Sequence, residues 1–308
     1  MESVEARSGD TRELVQTAMA ATVFLQGAYG FVDTLSGRPL RFTLGPDGRP
    51  IIRPWGPALT HEGQGDVFEV FFTGTGFLVE PEDGLMVTNR HLAEPWEFDG
   101  NAEGILARGF KGVMRRFVAY AHGSPEPLPV TLVASSPEAD VSVLRVLELP
   151  EGVEALTFAD TSPSPGDEVL VVGYPLGVRA LVARTDPAFL ETLVQTADTT
   201  FWAVARRLAE EGYMAPLVSR GIVGQVTSRA VVYDAETTSG GSGGPVLSLD
   251  GRVIAVNAAI LPDFGGSNMG VPAEHGVTLM EWLNSSQHEG EPLDSAMVRR
   301  SAPEVMPP

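Results

Sequence analysis

Three residues of the types used in nucleophilic catalysis stand beside apolar segments of the chain. Ser242 lies in the glycine-rich sequence GGSGGP, which begins at Gly240. His91 follows the apolar run Leu85–Thr88, at the expected junction of a strand with a helix. Asp140 opens an alternating apolar segment, where a carboxylate needs a hydrogen-bond partner. A serine activated by an imidazole that a carboxylate orients is a nucleophile for acyl transfer.

Each of these residues also has an ordinary structural explanation. A Gly/Ser stretch is often a linker, a lone histidine is often structural, and an aspartate often starts a strand. The apolar segments that flank Ser242 closely argue against a linker. The chain order His91, Asp140, Ser242 is that of chymotrypsin-like peptidases. In addition, the backbone N–H groups of Gly240 and Ser242 can form an oxyanion hole.

Short apolar runs bounded by Gly, Pro, Asp or Ser recur along the chain and predict many short strands. This pattern is typical of all-β barrels or sandwiches. One long helix is predicted from Asp186, a helix-capping residue followed by Pro187, to a stop at Gly212. A second helix is predicted to begin near Pro272.

Composition limits the partners. The 308 residues carry a formal net charge of −19, which argues against nucleic acid and anionic membranes because phosphate binding needs clustered Lys and Arg. The chain has no cysteine, so thiol catalysis and Cys-based zinc sites are excluded. No metal or organic cofactor is expected. No signal peptide is visible, which predicts a cytoplasmic protein, with secretion of a trimmed form left open.

The chain resembles the trypsin-like protease domain of the HtrA/Deg type over roughly residues 66 to 284. The resemblance is carried by an ordered set of sequences: TGTGFLV from Thr73, LMVTNRH up to His91, ADVSVLRV from Ala139, GDEVLVVGYPLG from Gly166, SRGIVG from Ser219, DAETTSGGSGGPV from Asp234, DGRVIAVNAAI from Asp250 and MGVP from Met269. It implies two antiparallel six-stranded β-barrels with an active site between them. It also implies a serine endopeptidase acting through an acyl-enzyme on a protein or peptide substrate.

This resemblance implies a domain division and departs from the family pattern in two places. We expect an N-terminal segment over 1–17, a first barrel over 18–150, a second barrel over 151–284 and a disordered tail over 285–308. The insertions 30–65 and 178–217 have no counterpart in the family pattern. Too few residues follow Asn284 for the PDZ domain that HtrA proteins usually add, so we expect the chain to lack one.

The insertion 178–217 has two interpretations. Its apolar stripe must be buried, either against the second barrel or against a regulatory protein partner.

Two alternatives to an active peptidase remain at this level. The sequence from Gly240 to Gly244 also fits the G-x-S-x-G motif of α/β-hydrolase esterases, although that fold needs a helix directly after the serine. The other alternative is a catalytically silent binding module on a protease scaffold.

The specificity pocket is predicted from Glu236 and Thr237, before the nucleophile, and from Asn257, Ala258 and Ala259 on the strand beside it. Glu236 stands at the offset where trypsin-like enzymes place an acid that pairs with a basic side chain. The HtrA pattern instead has a small apolar residue there, so preferences for basic and for small aliphatic side chains both stay open.

Overall fold

The structure is a computed structural model, and it describes residues 2–150, 153–196, 198–261 and 267–288. The helices are α1 (Glu2–Ala21), α2 (Arg90–Ala93), α3 (Gly100–Leu106), α4 (Val178–Ala183), α5 (Pro187–Gln195), α6 (Phe201–Glu210) and α7 (Ala273–His288). The strands are β1 (Thr22–Asp33), β2 (Arg41–Phe42), β3 (Ile52–Arg53), β4 (Gly56–Pro57), β5 (Leu59–Thr60), β6 (Glu69–Glu80), β7 (Leu85–Thr88), β8 (Phe110–Tyr120), β9 (Leu128–Ser135), β10 (Ser142–Val146), β11 (Thr157–Phe158), β12 (Glu168–Gly173), β13 (Leu217–Val226), β14 (Val231–Tyr233), β15 (Pro245–Ser248), β16 (Arg252–Leu261) and β17 (Ser267–Pro272).

Two closed barrels confirm the predicted fold class. In the first, six strands pair in the order β1-β6-β7-β10-β9-β8. In the second, the order is β16-β15-β12-β13-β14-β17, and pairing of β17 with β16 closes the ring. The short β11 adds a parallel pair to β16. The chain thus has the chymotrypsin-like double barrel.

The expected boundaries of two strands need correction. The sequence predicts separate strands over Val67–Phe72 and Gly76–Val79, but one twelve-residue strand, β6, begins at Glu69 within the first run and continues through the second. Thr73 and Gly74 continue this strand although neither residue is apolar. Pairing with neighbouring strands therefore keeps these residues in the strand although the apolar pattern is interrupted there.

The residues divide by their contacts into two compact units. The first comprises the chain up to Leu25, Thr73–Ala93 and the chain from Ala119; the second comprises Gln26–Phe72 and Glu94–Val118. The division at residue 150 that we expected from the sequence concerns the two barrels, and it stays a prediction.

The core of the first unit includes both chain-terminal helices. Ala18 and Ala21 of α1 and Leu283 of α7 are fully buried in one cluster with strand residues such as Val143 and Leu247. The helix α1 was not predicted, because its first half is charged and only its last turns are apolar. Packing of the apolar end against the core contributes to the stability of the helix, because most helical stability in proteins comes from tertiary contacts.

The insertion 178–217 contains three helices where one long helix was predicted. As expected, Asp186 caps α5 by accepting a hydrogen bond from the N–H of Phe189 at 2.8 Å. The helix ends at Gln195, and Thr200 caps α6 by accepting a bond from the N–H of Ala203 at 3.4 Å. Threonine and aspartate between the two helices compete for backbone hydrogen bonds, which explains why the apolar spacing did not produce one helix.

The second unit has an aromatic core of its own. Tyr29 and Phe31 are buried there, and rings of Phe68, Phe72 and Trp96 pack around them. The insertion 30–65 includes the end of β1 and the short strands β2–β5, which pair as β2 with β5 and β3 with β4.

The C-terminal helix begins where the sequence predicts it, but it continues through His288. The expected tail starts at residue 285, so its first four residues are helical, and residues 289–308 lie outside the described residues. No helix within the described ranges is long and apolar enough to cross a membrane.

Candidate active site

The described geometry pairs His91 with Asp140. The short helix α2 begins directly after strand β7 and turns His91 toward the start of β10. The His91 ring nitrogen Nδ1 lies 2.7 Å from Asp140 Oδ2, and its backbone N–H donates to Asp140 Oδ1 at 2.8 Å. A carboxylate can only accept these bonds, so the proton of the neutral ring sits on Nδ1 and Nε2 is the basic nitrogen. The side chain of Asn89 donates to the backbone carbonyl of Asp140 at 2.8 Å and so holds the aspartate in place.

The loop around Ser242 depends on glycine. Gly243 has φ +85°, and a Cβ there would lie 2.1 Å from the carbonyl oxygen of Thr75. Gly240 has φ +96°, and a Cβ there would lie 2.7 Å from the carbonyl oxygen of Tyr174. Both positions therefore need a residue without a side chain, for conformational and steric reasons.

Some backbone N–H groups of the serine loop donate hydrogen bonds within the protein, and two donate none to the residues that the structure describes. The N–H groups of Gly241, Gly243 and Gly244 donate to carbonyl oxygens at 2.9, 2.7 and 3.1 Å. Among the described residues, no acceptor takes the N–H groups of Gly240 and Ser242. Two unused donors two residues apart are the arrangement that stabilises a developing oxyanion.

A neighbouring turn fixes the direction of the first of these donors. Leu176 donates its N–H to the carbonyl oxygen of Ser239 at 2.6 Å. The carbonyl and the N–H of a trans peptide point in opposite directions, so the Gly240 N–H points away from Leu176. Leu176 itself has φ +59°, a left-handed conformation that is uncommon for a residue with a side chain.

The hydroxyl of Ser242 donates to the carbonyl oxygen of Ala258 at 3.1 Å. Ala258 and Asp140 both line one cavity of about 940 Å³, so the serine loop and the His91–Asp140 pair belong to the same part of the first unit. The structure thus brings the three sequence-predicted catalytic residues into one region. It places Ser242 at half-buried depth, with its hydroxyl turned toward the strand β16.

Two of the predicted pocket residues, Asn257 and Thr237, bond to each other beside the serine loop. Asn257 is 2% exposed; it donates to the Gly241 carbonyl at 2.8 Å and accepts from the Tyr233 hydroxyl at 2.5 Å. Its side chain therefore supports the serine loop from inside the protein. The hydroxyl of Thr237 accepts a weaker bond from Asn257 at 3.3 Å.

The Glu236 side chain is exposed, while its backbone carbonyl accepts from Ser219 Oγ at 2.6 Å. Ala259 pairs with Met269 across β16 and β17, and its side chain lies outside the described residues. A preference for Arg or Lys would need an acidic side chain at the bottom of the specificity pocket. The Glu236 side chain is instead exposed to solvent.

Sequence reasoning missed Thr75 as a residue of the site. Its buried hydroxyl donates to the Gly240 carbonyl at 2.8 Å and accepts from the Tyr174 N–H at 3.1 Å. Its backbone N–H donates to the Ser242 carbonyl at 2.9 Å. A threonine between two glycines in the TGTG sequence was the available signal, but a strand residue far from the serine gave no reason to pair them.

A model of the trypsin-like peptidase domain family matches residues 74–256 of the chain. The chain belongs to this family. The fold confirms this assignment and removes the esterase alternative, because strand β15 begins at Pro245, where an α/β-hydrolase has a helix.

Curated relatives are serine endoproteases. The chain is 27% identical over 194 residues to a probable periplasmic serine endoprotease, DegP-like, of Chlamydia pneumoniae, covering 63% of this chain and 30% of the relative. It is 23% identical over 210 residues to the periplasmic serine endoprotease DegP of Escherichia coli K12, covering 68% and 34%. The chain thus spans about a third of the length of these relatives.

Solved structures show the same fold at low sequence identity. The HtrA-type protease AlgW, solved with a decapeptide, matches with a TM-score of 0.54 and 16% identity, covering 89% of this chain and 67% of that one. A serine endoprotease from Yersinia pestis matches with a TM-score of 0.50 and 16% identity, covering 89% and 66%.

The relatives' names correct one expectation from the sequence. We expected a cytoplasmic protein because no leader was visible, but the curated relatives are named periplasmic. The cytoplasmic prediction is therefore wrong. Its weakness is physical: a leader is removed from a mature exported protein, so its absence does not identify a compartment.

Proposed function

We propose that this chain is a serine endopeptidase in which Ser242, His91 and Asp140 form a catalytic triad. The observation that carries the proposal is the His91–Asp140 pair, with 2.7 and 2.8 Å contacts, in the same region as a serine loop with two unused backbone donors. Membership of the trypsin-like peptidase family supports it.

Acylation begins with a rotation of the Ser242 hydroxyl. In the structure this hydroxyl donates to the Ala258 carbonyl. In the proposed mechanism it turns about its side-chain torsion and donates to His91 Nε2 instead. The imidazole takes the proton as Ser242 Oγ attacks the peptide carbonyl carbon. Asp140 stabilises the resulting imidazolium and keeps the ring in place.

The carbonyl oxygen becomes negatively charged in the tetrahedral intermediate. The N–H groups of Gly240 and Ser242 stabilise this charge, a contribution of about 3 kcal/mol for one such donor in related chemistry. The intermediate then collapses: the C–N bond breaks, and His91 gives its proton to the leaving amine. Water, deprotonated by the same imidazole, hydrolyses the acyl-enzyme and restores Ser242.

Asn257 and Thr75 are positioning residues in this proposal. Each holds a carbonyl of the serine loop, Asn257 that of Gly241 and Thr75 that of Gly240. Because both side chains are buried, we assign them support of the loop and no contact with substrate.

We propose a small aliphatic side chain before the scissile bond. Glu236 is exposed to solvent, so it is not placed as the acid at the base of a closed pocket. Ala258, whose carbonyl accepts from the Ser242 hydroxyl, has a small side chain that leaves room beside the nucleophile. The expected result is that peptides with Val or Ala are cleaved with higher kcat/KM than those with Arg, and that Glu236→Gln leaves this ratio unchanged. A higher kcat/KM for Arg that is lost in Glu236→Gln would assign Glu236 to the pocket.

For the insertion 178–217 we propose packing on its own unit as the main role, in preference to docking of a regulatory partner. Leu181, Ala205 and Leu208 are buried in it. The carbonyl of Met214 contacts the His122 ring at 3.3 Å. Replacing Asp186–Gly212 with a short Gly/Ser loop should therefore destabilise the protein. A fully stable variant with altered basal activity would favour the regulatory role.

Peptide turnover tests the main proposal. We expect Ser242→Ala and His91→Ala each to abolish cleavage of an unstructured protein substrate without changing the thermal unfolding temperature. Ser162→Ala, a surface serine in the same unit, is the matched control and should cleave like the wild type. Near-normal turnover by Ser242→Ala would refute the triad.

A further inference from the structure

The segment 43–58 of the second unit is a small, backbone-bonded structure. Thr43 donates its N–H to Ala58 at 2.8 Å, and Ile51 donates to Thr43 at 2.9 Å. Ala58 donates to Ile51 at 2.8 Å, and the β3–β4 pair continues from there as a hairpin. These bonds hold the chain in a fixed shape, which we call the 43–58 hairpin.

The tip of this hairpin presents large apolar side chains to solvent. Trp55 is 80% exposed and Ile52 is 69% exposed, and Ile51 and Leu44 are also exposed. Every residue from Asp47 to Trp55 is exposed. Single exposed apolar residues are ordinary, but a tryptophan and two isoleucines within five positions of a rigid tip form a cluster, and such clusters mark interaction sites.

The charge of the hairpin region is opposite to that of the chain. Between Arg38 and Pro57 there are four arginines and a single acidic residue, Asp47, in a protein of net charge −19. Arg49 precedes the apolar tip and Arg53 lies within it, between Ile52 and Trp55, and within the described residues neither guanidinium forms an ion pair. The tip is therefore both apolar and locally basic.

We propose that the 43–58 hairpin binds the surface of an anionic lipid membrane. Tryptophan is enriched at membrane interfaces because its ring is amphipathic, and arginine binds lipid phosphate through several donors at once. The negative net charge of the chain does not prevent this contact, because salt screens the field of distant carboxylates beyond about 8 Å. The arginines of the tip therefore decide the local attraction to anionic lipid. This proposal replaces our expectation of no membrane contact, which rested on the net charge of the whole chain.

The alternative binding partner of the 43–58 hairpin is the acidic surface of a second copy of this chain. The membrane is favoured because Ile51, Ile52 and Trp55 form a short apolar wedge, with Arg49 before it and Arg53 between Ile52 and Trp55. This arrangement suits insertion below a headgroup layer. The proposal does not depend on the proposed peptidase activity, and binding can be measured on any folded form of the chain.

Vesicle flotation tests the proposal. The full chain should float with vesicles of phosphatidylcholine and phosphatidylglycerol and remain behind with vesicles of phosphatidylcholine alone. Arg49→Glu with Arg53→Glu should weaken binding more than about tenfold, since each basic residue near an anionic surface contributes roughly fivefold. Ile52→Ser with Trp55→Ser should weaken it by a similar factor. Val194→Ser, which changes an 83% exposed apolar residue of the first unit, is the matched control and should bind like the wild type.

A second measurement distinguishes binding to a membrane from binding to a second copy of the chain. Sedimentation without vesicles should give the same mass for wild type and for both double variants. Loss of self-association in these variants, equal flotation of the Ile52/Trp55 variant and the wild type, or equal binding to neutral and anionic vesicles would each overturn the proposal. Unchanged thermal unfolding of the variants shows that they are folded.

Discussion

The serine loop and the helical insertion 178–217 are held in place by different kinds of contact. The loop is fixed by buried backbone bonds: the carbonyls of Gly240, Gly241 and Ser242 each accept a hydrogen bond from a buried residue. The polar contacts of the insertion are nearer the surface, among them the bond from the Tyr213 hydroxyl to Asp186 and that from Arg184 to the Ala215 carbonyl at 3.0 Å. Moving the loop therefore breaks several buried hydrogen bonds together, whereas individual polar contacts of the insertion can be lost at smaller cost.

Gly243→Ala is expected to have the largest effect of the substitutions that probe this contrast. The new Cβ would meet the Thr75 carbonyl at 2.1 Å, so the loop must move and both oxyanion donors move with it. We expect kcat/KM to fall at least about 100-fold, and stability to fall by more than about 2 kcal/mol.

Gly212→Ala is the matched control for Gly243→Ala. Gly212 follows helix α6 of the insertion with φ +76°, and a Cβ there would face open space. We expect only the conformational cost, about 1 kcal/mol, with unchanged kcat/KM. Equal losses at the two glycines, measured by denaturant unfolding, would show that steric contact does not distinguish the regions.

Two tyrosines give the next comparison. Tyr233→Phe removes a buried hydroxyl that donates to Asn257 at 2.5 Å and leaves the amide oxygen without this partner, which costs about 1–3 kcal/mol. Tyr213→Phe removes the bond to Asp186 at the surface, and the lowering of the unfolding temperature should be smaller. The reverse order would contradict the contrast between buried and surface contacts.

Protonation of Asp186 at low pH should destabilise the insertion 178–217. Hydrogen bonds from the Tyr213 hydroxyl and the Phe189 N–H hold the pKa of this carboxyl below its ordinary value. The folded state therefore favours the ionised form, and this stabilisation is complete above the ordinary pKa and is lost as the pH falls through the lowered one. The protection factors of the α5 amides, which correct for the pH dependence of intrinsic exchange, should fall with falling pH more in the wild type than in Asp186→Asn. The same fall in both proteins would assign it to other groups.

The smallest effect is expected for Val194→Ser in α5. This side chain is 83% exposed, so its replacement removes almost no buried apolar surface. Stability and kcat/KM should both stay at wild-type values. A marked loss of activity would reveal a contact of this surface and would favour the partner-docking role for the insertion.

Sequence patterns predicted what chemistry and periodicity impose. The short apolar runs predicted an all-β fold of barrels or sandwiches, and the family resemblance implied the double barrel. The cap at Asp186 followed from its residue type and Pro187. The break between α5 and α6 did not follow, because apolar spacing continues across it while Thr200 caps a new helix. Thr75 was missed because its link to the serine loop joins residues 165 positions apart.

Active-site labelling tests the central claim most directly. A fluorophosphonate reacts only with a serine that is activated by a base and faces an oxyanion site. The account predicts a covalent adduct that mass spectrometry maps to Ser242, with labelling lost in His91→Ala and kept in Ser162→Ala. No adduct at Ser242 in the folded wild-type protein, or equal labelling of wild type and His91→Ala, would contradict the proposed triad.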